Sequence, residues 1–555
     1  MVNNLKLFFI QSVLKDQVLI PLVCSLMFLK RYLLLDYGYN YEEGKEIECV
    51  INILNGKLVF RDFWWQYGPG PLYFIALLSK LVEGPSFLLG RIVVTIGAVL
   101  MTFYAYRVSR FYLPASWAFW AALLASSGLA SREGTYGHIF AYLGMIGSWY
   151  YLLIFFRNKD NSLDLVKAGL FVFMALMSKP IVFGVCSIAA GIICLGYWAF
   201  THSIKPFPFV SFAYFLASSV IPSGFVYGYL YLQTPTKLFL AQLFPMTSGS
   251  FFLSDLKLKP LLPPIPGDSL IVWKNQLNHY LVDDFRWWTV FLTLIICLVF
   301  LIKKYLQQPK ERPKFLPLFS ALVYGFLIES ETLILLERPI TFFINMLPNY
   351  ILLALFLIWL KEKLNKNFII YGISGFFCLF YFFYSPIRLG AYYFENSEML
   401  NLPYAKTIKV PKYTANSYKN IAKYIQDHSK PKEPILYAGY DTFIYWASNR
   451  LSPFPEDFAA FTRVSFHPYH STKKKFSNSF YKEIENKIVE RVKSTHPPLI
   501  IIPSSFLEKN NVQVSPFLKY LLEYWEIETE INGDIHRGPF DLANLHVVAF
   551  VPKKS

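Results

Sequence analysis

The sequence predicts a polytopic α-helical membrane protein of about eleven transmembrane helices, followed by a small extracytoplasmic α/β domain. Three observations predict it. Of 555 residues, 54% are apolar and 16% charged, whereas soluble domains run near about 25% charged. Apolar runs of roughly 20 residues, enough to span a bilayer, recur up to residue 385. Lys and Arg gather in alternate short loops, as the positive-inside rule asks. An ordinary soluble enzyme and a disordered chain are both excluded.

The first span is expected at 17–35. It is too long, and too basic at its far end, for a cleaved signal peptide, and no small-residue cleavage site follows. Further spans fall near 86–106, 114–130, 138–156, 165–178, 180–200, 209–232, 288–303, 315–335, 342–360 and 367–385. Lys179-Pro180 divides the pair 165–178 and 180–200. With Lys6 and Lys15 in the cytoplasm, the loops holding Arg107, Arg110, Arg157, Lys159 and Lys205 fall on the cytoplasmic side. So do the loops with Lys303, Lys304, Lys310, Arg312, Lys314, Lys361, Lys363 and Lys366. An odd number of spans then puts 386–555 outside, together with loops 36–85 and 233–287. Much of the net charge of +16 is used in this way, and no basic stripe remains for nucleic acid.

Loop 36–85 is patterned. After Asn40, Ile47, Val50, Ile51 and Leu54 share one helical face. Asn40 suits the N-cap, with Glu43 in capping-box position, and Asn55-Gly56 ends the helix. An amphipathic helix here would lie in the membrane interface. The turn-rich, aromatic run Arg61-Asp62-Phe63-Trp64-Trp65-Gln66-Tyr67-Gly68-Pro69-Gly70-Pro71 follows. Loop 233–287, with Pro260, Pro263, Pro264, Pro266, Trp273, Trp287 and Trp288, reads either as a lid or as an interfacial loop with aromatic anchors.

Residues 386–555 change character. Helices near 416–428 and 478–494 alternate with strand-like runs at 434–438, 498–503 and 546–551, the pattern of a small α/β domain. Five of the six cysteines lie in apolar runs, and neither metal-ligand spacing nor a disulfide framework is visible.

The stretch from Tyr41-Glu42-Glu43 through Arg61-Asp62-Phe63 and Gly68-Pro69-Gly70-Pro71 to Arg91 resembles the start of GT-C glycosyltransferases. More narrowly, it resembles the bacterial relatives of the protein mannosyltransferases and of the lipid A aminoarabinose transferase. The resemblance implies a GT-C-like transmembrane domain over 1–385 and an extracytoplasmic domain over 386–555. It implies a multi-pass protein of the bacterial inner membrane, N-terminus cytoplasmic. The expected reaction is transfer of a sugar from a polyprenyl-phosphate donor to a protein, lipid or glycan acceptor, with inversion. A divalent cation stays open as a cofactor, although no separate acidic cluster to hold one is visible.

The resemblance puts a catalytic acid at Glu42, where the family more often has Asp. Glu43 is the neighbouring candidate, with its capping position as the structural alternative. Asp62 would orient the acceptor or pair with Arg61. Lys179 is an ionisable residue at a break in an apolar stretch, which marks function; it would meet the donor phosphate, with snorkelling to the interface as the alternative. Arg132 and His138, in the outer loop after the third span, are further donor-side candidates, each with a plain loop role as the alternative. Leu336-Glu337-Arg338-Pro339 resembles the family's outer loop in which an arginine faces that phosphate. Glu329 and Glu331 lie in the apolar stretch before it and would form an internal salt bridge or line a substrate path. The competing readings are a transporter or flippase of a lipid-linked precursor and a non-catalytic relative. The first would be expected to show internal repeats, which the sequence lacks.

Overall fold

The computed structural model describes residues 2–33, 35–38, 41–63, 65, 67–82, 84–130, 136–158, 161–201, 209–243, 299, 316–335, 347–364, 397–437, 443–452, 478–507, 515–531 and 546–553. The first part is helical. Helix α1 (Val2–Tyr32) is followed by α2 (Tyr41–Leu54) and α3 (Gly70–Leu81). Then come α4 (Phe87–Ser109), α5 (Ala115–Ala130), α6 (Tyr136–Asn158) and α7 (Ser162–Ser178). A π-helical turn (Pro180–Val185) leads into α8 (Cys186–Thr201). After it lie α9 (Phe209–Gln233), α10 (Thr236–Leu243), α11 (Leu316–Leu335) and α12 (Leu347–Leu364).

Four helices among the described residues are long and apolar enough to cross a membrane: Phe87–Ser109, Gly137–Asn158, Phe183–Thr201 and Phe209–Gln233. Eleven spans are expected from sequence. The expected span at 367–385, and the one at 288–303 apart from Val299, lie outside the described residues. Helix α3 is an addition. Its 12 residues are too few to span a bilayer, and sequence reading absorbed them into a loop.

The break at Lys179 has a local cause. Proline disfavours helical backbone in the residue before it, and Lys179 is extended at φ −138°, ψ 88°. Helix α7 therefore stops at Ser178. The Lys179 carbonyl then accepts from Phe183 N and Gly184 N, closing the π turn. The chain folds back so tightly that a Cβ on Gly184 would sit 2.8 Å from Leu176 Cα. Helix α8 returns to the far end of α6, where Trp198 packs on Phe155 at 5.0 Å. Thus 165–178 and 180–200 form a hairpin rather than one kinked helix.

The C-terminal segment begins with a ribbon of β1 (Ser397–Met399) and β2 (Lys409–Pro411). It continues through α13 (Lys412–Asp427), β3 (Leu436–Tyr437), α14 (Phe443–Ser448), α15 (Asn478–Thr495) and β4 (Ile500–Pro503). Helix α16 (Pro516–Tyr524), β5 (Trp525–Ile531) and β6 (Val547–Pro552) complete it. The four-stranded sheet has the order β3-β4-β6-β5, with β3 parallel to β4 and the other pairs antiparallel. Its middle strands are apolar throughout because both faces are covered. Ile500, Ile502, Val548 and Phe550 pack with Ile488, Val492, Phe517 and Leu521. Ile501 and Ala549 face the side of Tyr418, Ile421 and Tyr445.

This segment docks on the end of the bundle where α4 and α6 begin and α7 ends. Phe87 N donates to the Tyr404 carbonyl at 3.2 Å, and its ring meets Phe443 edge-on at 5.2 Å.

Candidate functional site

The chain from Leu35 to Glu43 carries Glu42 and Glu43, and Arg91 of α4 holds it. Arg91, 4% exposed, donates from Nε and Nη2 to the two carboxylate oxygens of Glu43, both at 2.7 Å. Glu43 is fully buried. The same guanidinium donates to the carbonyls of Leu35 (3.0 Å), Tyr37 (3.2 Å) and Gly38 (2.7 Å). A planar fork with five N–H groups can serve all these acceptors at once, which a lysine cannot. Glu42 lies beside Glu43 in the first turn of α2, and its side chain is outside the described residues. Asn40, the expected cap, also lies outside them.

Beyond α2 the chain turns sharply. Phe60 adopts φ +71°, unusual for a bulky residue, and two contacts from α10 hold it there. Gln242 Nε2 donates to the Phe60 carbonyl at 2.7 Å, while Phe239 meets its ring edge-on. Within this turn Asp62 accepts from Arg61 Nε at 2.8 Å and Nη2 at 2.7 Å, and from Leu58 N at 2.7 Å. The Arg61 hydrogen bonds hold its carboxyl below the usual carboxylate range. A carboxylate so stabilised is a weak base.

The next residues are pinned to the end of α7. Trp65 N donates to Gln242 Oε1 at 2.7 Å, and Gly68 N to the Ser178 carbonyl at 2.9 Å. A Cβ on Gly68 would fall 2.1 Å from the Met177 carbonyl oxygen, so only glycine permits this approach. Tyr67 is thereby laid under Lys179, whose Nζ lies 4.4 Å from the ring centroid. His138 Nε2 is 2.5 Å from the same Nζ. An ammonium has no lone pair to accept with, so a charged Lys179 donates and His138 Nε2 accepts. The His138 and Tyr67 rings meet at 6.2 Å.

The structure therefore brings together Lys179 and His138, 41 residues apart in sequence. It ties Asp62 to Arg61 and Glu43 to Arg91. Arg132, Glu337 and Arg338 lie outside the described residues, as do the side chains of Glu329 and Glu331. Sequence reasoning missed Tyr67 and Gln242. Tyr67 was one aromatic among many. Gln242 sits in a loop whose later part, 244–287, lies outside the described residues. Among the described residues, no three His, Cys, Asp or Glu side chains gather where a metal ion would bind.

No family model matches the chain, and no curated protein matches it. Solved structures do. The oligosaccharyltransferase of Archaeoglobus fulgidus, in a complex with Zn and sulfate, aligns at a TM-score of 0.53 and 12% identity. The alignment covers 91% of this chain and 71% of that one. The archaeal oligosaccharyltransferase AglB from the same organism, in complex with an inhibitory peptide and a dolichol-phosphate, aligns at 0.51 and 12% identity, over 95% of this chain and 75% of that one. ArnT from Cupriavidus metallidurans bound to undecaprenyl phosphate aligns at 0.50 and 13% identity, over 97% of this chain and 98% of that one. The helical bundle with its α7–α8 hairpin and the C-terminal segment docked at one end share the fold of these solved glycosyltransferases.

Proposed function

We propose that this chain is an integral-membrane glycosyltransferase. It would move a sugar from a polyprenyl-phosphate donor to an extracytoplasmic protein, lipid or glycan acceptor, with inversion. Its place would be the bacterial inner membrane, with the N-terminus cytoplasmic, 1–385 as the transmembrane domain and 386–555 outside. The observation that carries the reading is Lys179. It is a cation at a helix break, beside His138 and over Tyr67, at the end of the bundle that bears α2. Two structural neighbours, at 12–13% identity, hold a dolichol-phosphate and undecaprenyl phosphate.

The chemistry follows from charge. The acceptor hydroxyl or amine attacks the anomeric carbon from the face opposite the phosphate, and the carbon–oxygen bond to phosphate breaks. Glu42, as general base, takes the acceptor's proton. The leaving polyprenyl phosphate keeps the electron pair, and Lys179 meets the charge that grows on it. Arg132 and Arg338 are assigned to the same phosphate, and His138 fixes the direction of the Lys179 ammonium. Glu337 shares the outer loop of Arg338. Asp62 and Arg61, already paired, shape the turn between α2 and α3.

The test is transfer of a labelled sugar from a synthetic polyprenyl-phosphate donor by the purified protein, alongside glycan and glycolipid profiling of a deletion strain. Loss of one sugar from an outer-face product supports the reading. An untransferred precursor retained inside would favour a transporter instead. In the same assay Lys179→Ala should raise the donor KM by about tenfold, since a charged hydrogen bond contributes about 1.5–3 kcal/mol. Unchanged donor affinity would remove Lys179 from the site.

A further inference from the structure

We propose that the C-terminal segment forms part of the catalytic apparatus, with Lys409 as a positioning residue for the start of α2. The inference rests on the reading of Glu42 as the base. Four consecutive carbonyls precede α2, and their donors come from two sides. Arg91 serves Leu35, Tyr37 and Gly38. The fourth, Asp36, accepts from Lys409 N at 2.7 Å. Gly38 N returns a bond to the Lys409 carbonyl at 2.9 Å, and Tyr37 pairs with Lys409 as a parallel bridge. The chain before α2 is thus bridged at Tyr37 to the β2 edge of the ribbon. Lys409 Nζ adds an ion pair to Asp36 Oδ2 at 3.0 Å, with both side chains about 40% exposed; at that exposure such a pair contributes little. The backbone bonds are the specific element.

These contacts close a ring. Phe87, at the start of α4, holds Tyr404 of the C-terminal segment. Arg91, one turn further along α4, holds the chain before α2 and Glu43. Lys409 joins the two, and α14 also packs on α2. Moving the C-terminal segment therefore moves Asp36 to Gly38, and with them the first turn of α2, where Glu42 sits. An acceptor bound by that segment would change the placement of the base and not the grip on the donor.

Lys409→Pro tests this. It removes the N–H that Lys409 donates to the Asp36 carbonyl, together with the weak Nζ ion pair, and leaves the ribbon bond from Leu400 N to the Ile408 carbonyl in place. The expected result is a roughly tenfold loss in kcat with donor KM within about twofold of wild type, in keeping with the gain that good alignment gives. Amide exchange over 41–48 should quicken at least tenfold. Lys409→Arg, which keeps the backbone N–H, should leave both at wild type. Wild-type kcat and wild-type exchange over 41–48 in Lys409→Pro would overturn the proposal. Should that variant fail to fold, exchange in the wild-type protein decides: slow exchange at Gly38 and Lys409 supports the clamp, and fast exchange overturns it. If wild-type protein transfers no sugar, the transferase reading fails, while the exchange results still judge the clamp alone.

Discussion

Glu42→Gln should lower sugar transfer by about 10²–10⁴-fold, the usual range for a lost general base, with donor KM nearly unchanged. Glutamine keeps the shape of the side chain and its hydrogen-bonding reach, but it cannot take the acceptor's proton. Folding should barely respond. Glu42 lies in the first turn of α2, where a negative charge interacts with the helix N-terminus for about 0.3–1 kcal/mol. Melting in detergent and membrane insertion should therefore stay close to wild type. The measurement is single-turnover transfer of labelled sugar, which separates chemistry from donor binding and product release. Full activity of the variant would remove Glu42 as the base. Asp62 would not simply inherit the role, because Arg61 and Leu58 N already occupy its oxygens and hold it ionised.

Some of this site is legible in the sequence, for reasons that can be named. Lys179 stands out because a charge in an apolar run needs an explanation, and Pro180 fixes where α7 must stop. Asp62 next to Arg61 already suggests a turn pair, and the structure contains that pair. His138 gives no comparable signal. Its partner is 41 residues away, and nothing in helical spacing links them. Arg91 and Glu43, 48 residues apart, are likewise matched only by the fold. Lys409 is harder still, since its part is played by backbone N–H and C=O, which every residue other than proline possesses. The same limits apply to the sheet. The buried strands β4 and β6 read clearly as apolar runs. Strand β5 does not, because Glu526, Ile527 and Glu528 are all exposed at a sheet edge, and a charged edge strand resembles a loop in composition.

Arg91→Met should be among the most destabilising single changes in the chain, and Glu43→Gln the next. Removing one partner of a buried ion pair costs about 3–5 kcal/mol, because the other charge is left without compensation. Arg91→Met carries an added loss: the carbonyls of Leu35, Tyr37 and Gly38 lose their donor together. Arg91→Lys should resemble Arg91→Met more than wild type, since an ammonium cannot serve both Glu43 oxygens and three carbonyls. Thermal melting in detergent, with Glu43→Gln and the double variant completing a cycle, measures the coupling. The double variant should cost less than the sum of the two, as each change removes the charge that the other strands. The cycle also separates two adjacent glutamates. A Glu43 whose work is structural loses stability on substitution and loses activity in proportion to the protein that unfolds. Were Glu43→Gln as stable as wild type and still inactive, the base would be Glu43, with Arg91 setting its protonation, and Glu42 would be a solvated neighbour.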